Sequence, residues 1–159
     1  MGSNFLKYGP QGRDAVGQQN VCATGNYFHR LGGHFVSMEA NGVTLIATYS
    51  KAVLGWAEVP KFDAGKNSWK SSTTDGAGRS KVFVVTGRDA VFAMPATETT
   101  ASLAASLVGD QVDLIVTGAT YARIQSVLIG RSTGTQLTID DVDLVNRIAY
   151  VRVLTYQND

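Results

Sequence analysis

Phe35-Val-Ser-Met-Glu-Ala-Asn-Gly-Val-Thr-Leu-Ile-Ala-Thr-Tyr49 is the stretch that decides the fold. Asn41-Gly42 stands between two apolar, β-prone runs, and this dipeptide tolerates positive φ at both centres of a type I′ turn. A β-hairpin is predicted over 35–40 and 43–49. Working outward, residues 52–59 read as the next strand, with Gly55 marking a bulge or a point of close contact. Residues 81–86, 90–94, 112–116, 124–129, 136–139 and 148–156 carry the same short β signature between turn residues. Pro95 is expected to end the 90–94 strand, because it has no N–H for a ladder. One helical candidate lies within 97–108, where Ala-rich Ser102-Leu-Ala-Ala-Ser-Leu-Val108 closes on Gly109. Short strands at this spacing predict an all-β chain: a single barrel or sandwich-like body of antiparallel strands, with at most one short helix.

Composition agrees. The chain has 159 residues, 44% hydrophobic and 17% charged, with 17 glycines against three prolines. That length suits one domain with its own core. The formal net charge of +1 argues against a broadly basic nucleic-acid binder, although the charge is uneven. Residues 1–90 hold ten Lys/Arg and six Asp/Glu, a balance of +4, and residues 91–159 hold four and seven, a balance of −3. Such polarity can orient a protein on a charged partner or set head-to-tail contacts. Cys22 stands alone, which excludes an intramolecular disulfide and an all-cysteine metal site. The N-terminal residues lack an apolar run of signal-peptide length, and no stretch nears the roughly 20 apolar residues of a membrane helix. The expectation is a soluble protein made in a cytoplasm.

The expected organisation is an extended N-terminal arm over 1–33 and an all-β body over 34–159, with a long polar loop at 60–81. The first 33 residues are Gly-rich, polar and without a clear period, so they offer no regular face to bury. Aromatic residues scattered through them favour an arm ordered against something else. Phe5, Lys7, Tyr8, Arg13, Tyr27 and Phe28 in the arm are the expected partner contacts, together with Trp69 in the loop. Trp69 has a second reading, as a loop anchor packed on the sheet. Deletion of residues 1–30 is expected to leave the body folded.

Motifs with chemical meaning fail on context. Gly130-Arg-Ser-Thr-Gly134 matches G-x-S-x-G, but the residues after it are β-patterned and no histidine follows His34. His29 and His34 lack a convincing third metal ligand. Asp140, Asp141 and Asp143 lack the alternation and the distal glutamate of a calcium loop, and read as turn residues bonding their own backbone. Gly76-Ala-Gly-Arg-Ser-Lys81 lacks the spacing of a phosphate cradle. No enzyme activity, cofactor or metal is expected.

The order of segments carries one further signal. Gly33 to Tyr49, Val53-Leu-Gly-Trp-Ala57 and Val82-Phe-Val-Val85 form the front half. Phe92-Ala-Met-Pro95, Leu107-Val-Gly-Asp-Gln-Val-Asp-Leu114, Ile139-Asp-Asp-Val-Asp-Leu-Val-Asn-Arg147 and Val151-Arg-Val153 form the back. Together, over roughly 33–156, the chain resembles the capsid decoration, or cement, proteins of tailed bacteriophages. The resemblance implies a β-rich body, a homo-oligomer with a trimer favoured over a dimer, and a seat where several subunits of the major capsid protein meet. It implies a terminal arm reaching onto neighbouring subunits and residence on the virion surface after synthesis in the host cytoplasm. Nucleic acid and membrane are not expected partners. No binding residue of that family is defined sharply enough to be carried onto a position here. Two other readings are another phage part (neck, tail or fibre base) and a carbohydrate-binding β-sandwich stacking sugars on Trp56, Trp69 or Tyr121.

Overall fold

The computed structural model describes residues 8–11, 16–59, 68–71, 80–87, 89–118, 123–133 and 136–157. Among these the chain is all-β, with one 3-10 turn at Ala105–Leu107 where the helical candidate lay. The strands are β1 (Gly9–Gln11), β2 (Gly17–Val21), β3 (Tyr27–His29), β4 (Phe35–Glu39), β5 (Gly42–Leu45), β6 (Gly55–Glu58) and β7 (Ser68–Lys70). They continue with β8 (Lys81–Val85), β9 (Val91–Thr97), β10 (Gln111–Thr117), β11 (Ile124–Leu128), β12 (Leu137–Asp143) and β13 (Ile148–Val153).

Two sheets and a small ribbon hold these strands. The first sheet runs β2-β8-β6-β4-β5, antiparallel throughout, and a bridge from Cys22 to Val43 draws its two edges together. The second runs β1-β9-β11-β10-β12-β13, and the β9–β13 pairing closes five of its strands into a ring. β3 and β7 form the ribbon. The period of two sorts side chains into two cores. Val36, Leu54, Ala57, Val82 and Val84 face the smaller core, enclosed by the first sheet. Their neighbours Phe35, Val53, Trp56 and Val85 face the larger one, shared with Phe92, Met94, Val127, Leu137 and Val151 of the second sheet. At that junction Phe35 meets Trp56 edge-on at 5.0 Å and Phe92 at 4.9 Å, while Trp56 stacks on Phe92 at 5.5 Å. Such geometries add roughly 0.5–1.5 kcal/mol per pair to the burial itself.

Glutamine side chains stitch the sheets together. Gln125, fully buried on β11, accepts from the Phe35 amide and donates to the Phe35 and Ile46 carbonyls, each at 2.9 Å. Gln136 accepts from the Leu114 amide at 3.0 Å and donates to the carbonyls of Thr48 and Lys51 at 3.0 and 2.7 Å. Gln157 does the same to both backbone groups of Met38, at 2.7 and 3.1 Å. A primary amide carries an acceptor and two donors, so it can stand in for a strand partner where two sheets meet out of register.

Several sequence expectations change. The hairpin exists, but Glu39 pairs with Gly42, so the loop is Ala40-Asn41 and the positive φ falls on Gly42 (+123°). The cause is tertiary: a Cβ on Gly42 would lie 2.5 Å from the Val21 carbonyl oxygen, where the N-terminal segment crosses. Gly55 is a point of close contact, with the Val85 carbonyl 2.3 Å from where its Cβ would be. Pro95 does not end β9. The strand pairs with β13 up to Pro95 and with β11, in parallel, from Ala96 onward. The missing N–H therefore falls where the strand changes partner.

The arm requires the largest correction. In its described parts the segment assigned to the arm is built into the body. β1 pairs with β9, β2 with β8 and β3 with β7, and Cys22 and Phe28 are buried in the smaller core. Gly17-Gln-Gln-Asn-Val21 shows no apolar period because it is an edge strand held through its backbone, with largely solvated side chains. Most of the 60–81 loop lies outside the described residues, apart from β7 and its neighbours.

Candidate partner-contact surface

The β3–β7 ribbon organises the contact residues named from sequence. Opposite residues of an antiparallel pair share a face. Phe28 lies opposite Trp69, with ring centroids 6.0 Å apart, and both pack on the smaller core. Tyr27 lies opposite Lys70, whose ammonium sits 5.4 Å from the Tyr27 ring. Phe28 is completely buried and has no surface to offer, which removes it from the contact set. Trp69 is half-buried and serves as the anchor of the ribbon. Tyr8 is half-buried against the larger core, away from the ribbon's own core. Phe5, Lys7 and Arg13 lie outside the described residues. The ribbon therefore presents Tyr27 and Lys70 outward, and Phe28 and Trp69 hold it from beneath.

A polar clamp fixes the ribbon to the first sheet. Ser71 Oγ accepts from the Asn26 amide at 2.8 Å and donates to the Ala23 carbonyl at 2.6 Å. The Asn26 side chain accepts from the Leu45 amide at 3.0 Å. Below it, His34 is buried against Phe28 and Trp56, with ring centroids 5.4 Å from each. Its Nδ1 lies 3.2 Å from the Ala57 carbonyl and its Nε2 2.9 Å from the His29 carbonyl. Burial lowers its pKa, and the two carbonyls pull in the opposite direction. Burial also lowers the pKa of His29, whose Nδ1 accepts from the Leu31 amide at 3.0 Å. A neutral imidazole carries one N–H, so His34 donates to one of these two carbonyls, and which one depends on the tautomer.

The remaining motifs resolve into structure. Gly130 (φ +90°) opens a turn after β11, and β12 follows it with no intervening helix, so Ser132 does not sit on a nucleophile elbow. Asp140 pairs with Arg152 at 2.8 Å, and the Asp141 carboxylate accepts from the Val142 amide at 2.8 Å. No group of three His, Cys, Asp or Glu residues is arranged to hold a metal ion among the described residues. Trp56 is buried in the core, so it is no platform for a sugar, and Tyr121 lies outside the described residues.

One surface feature escaped the sequence reading. The β12–β13 turn puts Leu144 and Val145 into solvent, at 44% and 90% exposure. The turn itself is fixed. The Asp143 carboxylate accepts from the amides of Val145 and Asn146, both at 3.0 Å, and from the Asn146 side chain at 2.9 Å. Arg147 takes positive φ (56°) and forms an ion pair with Glu98. The Leu103 amide, ahead of that pair, holds the Glu98 carboxyl below the ordinary range. The polar groups of this turn bond to one another and to Glu98, and Leu144 to Arg147 are all exposed. The signal in the sequence was a pair of adjacent aliphatics, Leu144-Val145, inside an otherwise polar turn.

No protein-family model, curated protein or solved structure matches the chain.

Proposed function

We propose that this chain is a virion structural protein that binds the outer surface of an assembled bacteriophage capsid and stabilises it, as a homo-oligomer with a trimer favoured over a dimer. One observation carries the proposal: the order of β segments from Gly33 to Val153, on which the resemblance to cement proteins rests. The geometry lends support in two ways. Two cores joined by aromatic packing and glutamine bridges make a stiff body, and a stiff body loses little freedom on docking. The Tyr27–Lys70 face is an amphipathic patch held from beneath, the kind of surface that packs on a protein partner and also meets its carboxylates. Modest contacts suffice for such a role, because many copies on one shell add their effects.

The test is co-sedimentation of purified protein with assembled heads and with unassembled capsid subunits. Saturable association with heads, together with greater resistance of those heads to heat, is the expected result. Tyr27→Ala with Lys70→Ala should weaken it by about tenfold or more. Failure to associate with any assembled head would remove the proposal, and association with tails or necks alone would replace it with the other phage reading.

A further inference from the structure

The β4–β5 hairpin carries a reactive pair at its tip. Asn41 is exposed, and Gly42 follows it directly, the one Asn-Gly step of the chain. A backbone nitrogen can attack the side-chain carboxamide of the asparagine before it, and a side chain on the attacking residue stands in the way. Gly42 has none. The Asn41 carboxamide makes no hydrogen bond among the described residues, so it can turn towards that nitrogen. Other asparagines differ. Asn26 accepts from the Leu45 amide through Oδ1, donates to the Ala23 carbonyl through Nδ2 and precedes Tyr27. Asn146 is exposed, but its amide donates to the Asp143 carboxylate at 2.9 Å and Arg147 follows it.

The fold pins the glycine. Gly42 has a φ of +123°, and a Cβ there would meet the Val21 carbonyl oxygen at 2.5 Å. Packing therefore demands glycine at 42, whatever residue stands at 41. Attack has one structural condition. The Ile46 amide donates to the Phe35 carbonyl at 3.0 Å, and hydrogen-bonded pairs alternate along an antiparallel ladder. By that alternation Glu39 and Gly42 form the last bonded rung, which must open before the Gly42 nitrogen can react. The end rung of a hairpin frays at little cost. The Ala23 amide still holds the Val43 carbonyl at 3.0 Å, so the opening stays local.

We propose that Asn41 is a self-modification site, where the Gly42 nitrogen closes on the Asn41 side chain and converts the residue to aspartate and isoaspartate. The bond that forms joins the Gly42 nitrogen to Asn41 Cγ. The bond that breaks joins Cγ to Nδ2, which leaves as ammonia with the proton of the Gly42 amide. Water then opens the five-membered imide. Addition at Cγ gives aspartate, and addition at the main-chain carbonyl gives isoaspartate, whose backbone is one carbon longer. No oxidant or reductant is needed. Either product adds one negative charge, so the net charge of the chain falls from +1 to zero. The extra carbon of isoaspartate enters a two-residue loop wedged against the Val21 carbonyl, and so strains the tip. None of this depends on capsid binding.

Ageing of the folded full-length protein in mildly alkaline buffer, followed by mass analysis of tryptic peptides, tests this. The peptide Leu31–Lys51 contains one asparagine and no glutamine, so a mass gain of amide exchanged for acid reports Asn41 alone. Asn41 should convert at least about tenfold faster than Asn146, whose amide is held away from the next nitrogen. The aged protein should accept methyl groups from an isoaspartyl methyltransferase. Asn41→Gln, which needs a larger ring to close, should stay unconverted over the same period. The isoaspartate form, separated from fresh protein, should melt at a lower temperature. A Leu31–Lys51 peptide that stays unconverted in the folded protein would overturn the proposal. Equal conversion at Asn146, an acid gain without isoaspartate, or an Asn41→Gln protein that acidifies like wild type would also overturn it. An isoaspartate form that melts like fresh protein would overturn the strain at the tip.

Discussion

Gln125 does more for this protein than its chemistry suggests. Its amide meets the amide and carbonyl of Phe35, 90 residues away, and the carbonyl of Ile46, 79 residues away, in a place with no solvent. Gln125→Leu would keep the volume roughly constant and leave the Phe35 amide and the Ile46 carbonyl without this partner, while the Phe35 carbonyl would still accept from the Ile46 amide. Each unsatisfied buried group costs about 1–3 kcal/mol, so a loss of roughly 2 kcal/mol or more is expected, measured by chemical denaturation. Gln125→Glu should be worse, since a carboxylate cannot donate to two carbonyls and would carry buried charge. A loss under about 1 kcal/mol for Gln125→Leu would mean that the two sheets hold without this bridge. Little of this was legible beforehand. A glutamine within a strand reads as a solvated position, and only the meeting of two sheets gives it an inward role.

At the scale of elements, the hairpins read well because alternation and turn residues act locally. Residues 35–45 are the clearest case, yet the turn falls one residue from where Asn-Gly places it. The crossing of Val21–Ala23 over Gly42 overrides the local preference. Gly42→Val tests this. Position 42 combines a φ of +123° with a carbonyl 2.5 Å from the added carbon, so strain and overlap act together. The expected loss is roughly 3 kcal/mol or more, visible as a lowered melting temperature. A neutral effect would show that β2 need not lie against the hairpin. Pro95 teaches a related lesson: proline ends a strand's partnership, and β9 simply takes another partner. The β3–β7 ribbon could not be read, because its pairing joins segments separated by some 40 residues. The contact set suffered for the same reason. Phe28 looked available while its neighbours were unknown, and the exposure of Leu144 and Val145 within their turn showed only in the structure.

For the whole molecule, the decisive revision concerns the first 33 residues. A body beginning at residue 34 would lack β2 from the edge of the first sheet and β3 from the cover of the smaller core. Deletion of residues 1–30 would also remove Cys22 and Phe28 from that core. Loss of a buried Phe alone costs about 3–5 kcal/mol, against a total stability of order 5–15 kcal/mol for a domain. The truncated chain is therefore expected to show no cooperative thermal transition by circular dichroism. A sharp transition near that of the full chain would restore the arm as a separate element. The sequence revealed the fold class because strand period and turn residues are local. Assignment of the segment to the body was hidden because β2 contributes backbone pairing, which leaves no apolar pattern.

The closed strand ring has a further consequence for solubility. Each exposed sheet edge is a row of unpaired amides and carbonyls on which another chain can add. Here β9 joins β13 in the second sheet, and the Cys22–Val43 bridge draws the margins of the first together. Each ring strand has a partner on both sides, whereas β1, β2, β5 and the β3–β7 ribbon are laddered on one side only among the described residues. Strand addition is therefore confined to the margins that remain, and the five strands of the ring are closed to it.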